Sequence, residues 1–136
     1  MNLLLKSITT VTLSLAATAA LATPKFLITH NETDVESNAW VDNIVPSTHP
    51  TKAKQTSKVS WVEVRMACSG RTKAGKCSAV IYMKSNTDRP VPVGQVTMDL
   101  SSGEITPKEL VGNGYQVTIN GFGETTLKAL PTDNDA

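Results

Sequence analysis

The sequence is poor in the residues that most often carry chemistry. Among 136 residues there are two histidines and two cysteines. His30 and His49 stand in no metal-ligand spacing, so no zinc site is expected. Asp34, Glu36 and Asp42 offer carboxylate oxygens, but no calcium-loop pattern surrounds them. No Gly-x-Ser-x-Gly elbow is present, and any Ser–His–Asp set would have to be assembled from scattered residues. These absences predict no catalytic residue, no metal and no cofactor, and a protein that is not an enzyme.

Aromatic residues make up only 4% of the chain. Trp40, Trp61, Tyr82 and Tyr115 fall on strand-like segments, where packing is the expected role rather than sugar stacking. A charge excess is lacking too, with a formal net charge of +1. No aromatic residue interleaves the basic run, so nucleic acid is not expected as a partner.

Long apolar runs are also missing. Residues 8–20 are apolar but diluted by Ser and Thr, and too short for a membrane span. With Lys6 before them and Ala20-Leu21-Ala22 after them, they read as a cleaved signal peptide over residues 1–22. Cleavage would leave no transmembrane span and a periplasmic or secreted protein. The 114 residues that follow suit one domain, residues 23–130, with a frayed tail at 131–136. Of these 114, 24 are Leu, Ile, Val or Phe, just above the range where disorder becomes the default. An oxidising compartment would let Cys68 and Cys77 form a bond that lasts.

That pair predicts a specific strand register. Residues 60–68 and 77–84 both alternate with period two. If Cys68 faces Cys77 across an antiparallel hairpin, Met66 meets Ala79, Val64 meets Ile81, and Val62 meets Met83. Every pair on that face is apolar. The opposite face would hold Arg65–Val80, Glu63–Tyr82 and Trp61–Lys84, the last a candidate surface cation–π pair. A one-residue slip would turn Glu63 and Arg65 inward.

Further strands are expected at residues 26–30, 38–45, 91–100, 115–119 and 124–130. Residues 47–60 read as an irregular loop. Thr106-Pro107-Lys108-Glu109 matches a capping box with Pro at the first helical position, which predicts one helical turn. Asn113-Gly114 and Asn120-Gly121-Phe122-Gly123 read as turns. The fold class expected is all-β: a single antiparallel β-sandwich, immunoglobulin-like, of about seven to eight short strands with one hairpin disulfide.

Several segments resemble those of a group of small exported β-rich proteins from Gram-negative intracellular bacteria. They are Thr33-Asp34-Val35-Glu36-Ser37-Asn38-Ala39, Val64-Arg65-Met66-Ala67-Cys68, Met98-Asp99-Leu100, Gly103-Glu104-Ile105-Thr106-Pro107 and Asn113-Gly114-Tyr115. The resemblance covers most of the chain after the leader. It implies export and a shared fold, and carries over no functional residue.

Charge is segregated along the chain. Residues 51–76 carry Lys52, Lys54, Lys58, Arg65, Arg71, Lys73 and Lys76 against Glu63 alone. Residues 31–45 carry four acids and no base. Such segregation can steer an acidic partner or anionic surface, although a solvated basic loop and hairpin tip neutralised by acidic neighbours is the reading favoured for the charge pattern alone, since linear asymmetry often vanishes in three dimensions. The expected function is an exported binding or interaction module without catalysis. Its stapled hairpin would present Arg71, Lys73 and Lys76 to an acidic protein or an anionic surface, helped by Lys52, Lys54 and Lys58. The alternatives are a protease inhibitor presenting Arg71 or Lys73, and a structural envelope component. Asn31-Glu32-Thr33 matches a glycosylation acceptor, relevant only in a eukaryotic secretory route.

Overall fold

The computed structural model describes residues 22–131. Residues 1–21 and 132–136, which hold most of the signal peptide expected at 1–22 and of the tail expected at 131–136, lie outside the described residues. Among the described residues there are ten strands and one short helix: β1 (Phe26–Asn31), β2 (Ser37–Val41), β3 (Val45–Pro46), β4 (Thr56–Ser60), α1 (Trp61–Ala67), β5 (Lys76–Met83), β6 (Val91–Asp99), β7 (Ile105–Thr106), β8 (Glu109–Gly112), β9 (Tyr115–Gly121) and β10 (Glu124–Ala129). They form two five-stranded sheets, ordered β4-β1-β10-β9-β8 and β3-β2-β5-β6-β7. The all-β sandwich is therefore as expected. Two departures are the parallel pairing of β1 with β10 and the two-residue strands β3 and β7.

The Cys68 hairpin does not form. Residues 61–67 are helix, and β5 pairs with β2 and β6 instead, placing Cys77 opposite Met98 and Ala79 opposite Val41 and Val96. The cause lies at Ser60. Its side chain accepts a hydrogen bond from the Glu63 amide at 3.3 Å and caps the helix. Ser60-Trp61-Val62-Glu63 is itself a Ser-x-x-Glu capping signature. Trp61, Val64 and Cys68 then follow helical spacing onto the core, and all three are buried. Val62 and Met66, expected inside, are 68% and 70% exposed. Trp61 does not meet Lys84; its indole donates to the Leu100 carbonyl at 2.9 Å.

Three smaller expectations also change. Thr106-Pro107-Lys108-Glu109 begins no helix: Ile105–Thr106 and Glu109–Gly112 are strands of different sheets. Chain crossing between the sheets here leaves the capping residues without a helix to cap. The strand expected at 38–45 ends at Val41, because Asp42 and Asn43 take φ of 54° and 56° and turn the chain back into β3. The loop expected at 47–60 stops at Gln55, since residues 56–60 pair with β1.

The interior holds two apolar clusters rather than one. The first joins Val41, Trp61, Val64, Cys68, Cys77 and Leu100. The second joins Met83, Val93, Val117 and Leu127. Cys77 and Met83 stand at the two ends of β5, so the clusters lie on the order of 20 Å apart at strand spacing. At the second cluster β6 and β8 approach closely: a Cβ on Gly112 would meet the Val93 carbonyl oxygen at 2.3 Å. Glycine alone permits that contact.

Candidate functional site

The disulfide between Cys68 and Cys77, with Cα atoms 6.0 Å apart, closes a short loop. It joins the end of α1 to the start of β5 rather than two paired strands. Within the loop, the Arg71 amide donates to the Cys68 carbonyl at 2.9 Å. Lys73 and Lys76 then exchange two backbone hydrogen bonds, at 2.9 and 3.0 Å. Between them Ala74 and Gly75 take φ of 53° and 76°, the double positive φ of a type I′ turn. The Leu100 amide donates to the Gly75 carbonyl at 3.0 Å, fixing the tip to the end of β6. The tip is thus held by a covalent bond, a tight turn and a tether.

Its charges are less uniform than its sequence. Arg71 is half-buried and lies 3.9 Å from the Asp42 carboxylate, in the β2–β3 turn. Lys73 and Lys76 are exposed, with no acid within 4.0 Å among the described residues. Lys76 does stand opposite Asp99 in the β5–β6 register. The Asp99 carboxyl is held below its usual range by the Ser101 hydroxyl, then by the Ser102 and Ser101 amides.

The other three predicted cations lie elsewhere. The Lys54 ammonium donates to the Glu32 carbonyl at 2.9 Å and lies 3.6 Å from Asp34, beyond the Asn31 end of β1. The tip belongs to the opposite end, where the Trp61 amide reaches the Lys25 carbonyl. Strand rise puts these two ends about 17 Å apart. Lys52 is exposed beside the Lys54 end, and Lys58 is exposed on β4 opposite Ile28. The structure therefore brings Arg71, Lys73 and Lys76 together and leaves Lys52, Lys54 and Lys58 outside that group.

A hydroxyl–imidazole–carboxylate series occupies the outer face of the first sheet. His30 Nε2 lies 2.6 Å from Glu124 Oε2, and Nδ1 lies 3.0 Å from Thr56 Oγ1. The residues come from β1, β10 and β4, which are neighbours in one sheet. Nearby amides are already engaged: Asn31 N–H donates to Gln55 and Glu32 N–H to Leu127. The series clamps three strands together.

Two comparisons with known proteins bear on this chain. Residues 1–129 match the family described as T2SS substrate NttC. The chain belongs to the NttC family. The crystal structure of the Legionella pneumophila type II secretion system substrate NttC superposes with a TM-score of 0.78 at 46% sequence identity. The match covers 79% of this chain and 99% of that one. No curated protein matches the chain.

In this NttC-family sandwich, sequence reasoning passed over one further polar centre. Asn31, 2% exposed, donates through Nδ2 to the Val35, Thr51 and Lys52 carbonyls at 2.8, 3.1 and 3.3 Å. Its Oδ1 accepts from the Thr33 amide and hydroxyl. The glycosylation-like tripeptide is therefore a buried loop brace. The signal available in sequence was Asn followed two residues later by Thr, which also reads as an Asx-type turn.

Proposed function

We propose that this chain is exported by type II secretion and acts outside the cell as a non-catalytic binding module. Its contact surface is the disulfide-closed loop 68–77. The observation that carries this reading is the turn in which Lys73 and Lys76 are bonded to one another through both backbone pairs. Two ammonium groups are thereby carried on a backbone that needs little ordering on binding, which lowers the entropic cost of association. An acidic protein surface is the complementary partner, with Arg71 contributing if Asp42 yields to it.

Membership in a family described as type II secretion substrates supports the exported fate. The inhibitor reading gains less support. Arg71 is paired with Asp42, and Lys73 opens a tight turn rather than an extended segment.

Immobilised poly-glutamate is a suitable acidic probe. The oxidised protein should be retained at low salt and released as salt rises. Lys73→Ser with Lys76→Ser should abolish retention, while Lys52→Ser with Lys58→Ser should leave most of it. Equal retention of wild type and the Lys73/Lys76 variant would overturn the assignment.

A further inference from the structure

The middle of the sandwich, between the two apolar clusters, is hollow. A cavity of about 150 Å³ lies there. Its walls are mostly apolar and come from both sheets, with Leu27, Val59 and Leu127 on one side and Ala79, Ile81 and Val96 on the other. Leu27, Val59, Ala79, Ile81 and Val96 are only half-buried, although they occupy the inner faces of their strands. Small side chains explain the gap. Thr29 and Ser57 from the first sheet and Ala79 from the second stand where larger residues would close it.

The cavity opens along one edge. β4 ends one sheet and β3 ends the other, and residues 47–51 pass between them. This segment is pinned by the Ser47 amide on the Ala39 carbonyl, by Asn38 Nδ2 on the Ser47 carbonyl, and by paired Ser37–Thr51 backbone bonds. Polar groups gather at the rim. His49 Nε2 lies 3.3 Å from Glu63 Oε2, and further in, where Thr51 is buried, the Thr51 and Ser57 hydroxyls are 2.7 Å apart. His49 and Glu63 are each about half exposed, so either can swing away without unfolding its element.

An apolar chamber with a polar mouth fits an amphiphile better than water. Dry apolar cavities of about this volume admit a benzene-sized molecule, or about six carbons. We propose that this cavity binds the alkyl tail of a medium-chain carboxylic acid. About six tail carbons would lie between the sheets. The carboxylate would take the place of Glu63 on the His49 imidazole. This site lies in the middle of the sandwich and does not rest on the loop 68–77.

The test is a methyl-resolved NMR titration of the oxidised protein with octanoate below its micelle concentration. Saturable shifts are expected at the Leu27, Ile81, Val96 and Leu127 methyls and not at the exposed Val62 and Val111. Ala79→Leu, which fills the chamber, should weaken octanoate binding at least tenfold. His49→Ala should weaken octanoate several-fold and leave 1-octanol unchanged, because only the acid uses the imidazole. Absence of saturable shifts in the wild-type protein would overturn the proposal, whatever the variants do. So would equal, non-saturating shifts at interior and exposed methyls. Poly-glutamate retention is independent of either outcome, so the two assignments fail separately.

Discussion

The indole N–H of Trp61 donates to the carbonyl oxygen of Leu100 across 39 residues of sequence, at 2.9 Å. Arg65 Nη2 donates to the same oxygen at 3.0 Å. This one carbonyl seats α1 on the end of β6 and turns the buried face of the helix toward the disulfide. Trp61→Phe keeps the ring and removes one donor. It should cost about 1–2 kcal/mol, since Arg65 still satisfies the oxygen. Urea denaturation followed through the remaining Trp40 would measure it.

Removing the disulfide by Cys68→Ser with Cys77→Ser should cost about 2.5–3 kcal/mol by the loop-entropy account. The strand pairings of β5 do not depend on it, so the sandwich should survive. Far-UV circular dichroism should retain the β signature. A collapse of all β structure in the double variant would show that the bond does more than close a loop.

Asn31→Ala should be the most damaging polar substitution among the described residues. It removes the Nδ2 donor from three carbonyls and the Oδ1 acceptor from Thr33. Orphaned buried partners cost about 1–3 kcal/mol each when water cannot replace the bond. We expect a loss above about 2 kcal/mol, with protease sensitivity appearing first in residues 32–36 and 51–55.

Asp99 gives a pH signature. Its carboxyl is held below the usual aspartate range by the Ser101 hydroxyl and the Ser102 and Ser101 amides. A depressed folded-state pKa contributes stability above the unfolded value, and that contribution is lost as pH falls through the folded value. Asp99→Asn should therefore differ from wild type above about pH 4 and converge with it at lower pH. Melting temperatures taken across pH 2–7 would show the convergence. A constant difference across that range would exclude the charged carboxylate as its source.

Much of the sheet framework was legible in sequence. Val117, with Tyr115 and Ile119 beside it, packs in the second cluster as the alternation implies. The disulfide pairing was legible as well. Residues 60–68 were not, because nine residues are too few for period 2 to separate from period 3.6 when Val62, Val64 and Met66 are all apolar. Ser60-x-x-Glu63 held the deciding information. The His30–Glu124–Thr56 clamp could not be read, because it depends on β1 lying between β4 and β10. The hollow centre was hidden for a similar reason: small residues leave a void only once their facing partners are known.

The parallel pairing of β1 with β10 has a bearing on how the chain folds. β1 lies between β4 and β10, and its register runs from Ile28–Glu124 to Asn31–Leu127. β1 precedes by nearly a hundred residues the strand that completes its hydrogen bonding. Until the two pair, one side of β1 has no lasting partner, and such non-local pairings form late. Sheet closure is therefore one of the last events of maturation. A chain shortened before residue 124 should remain open along β1, with its peptide groups free to pair with another chain.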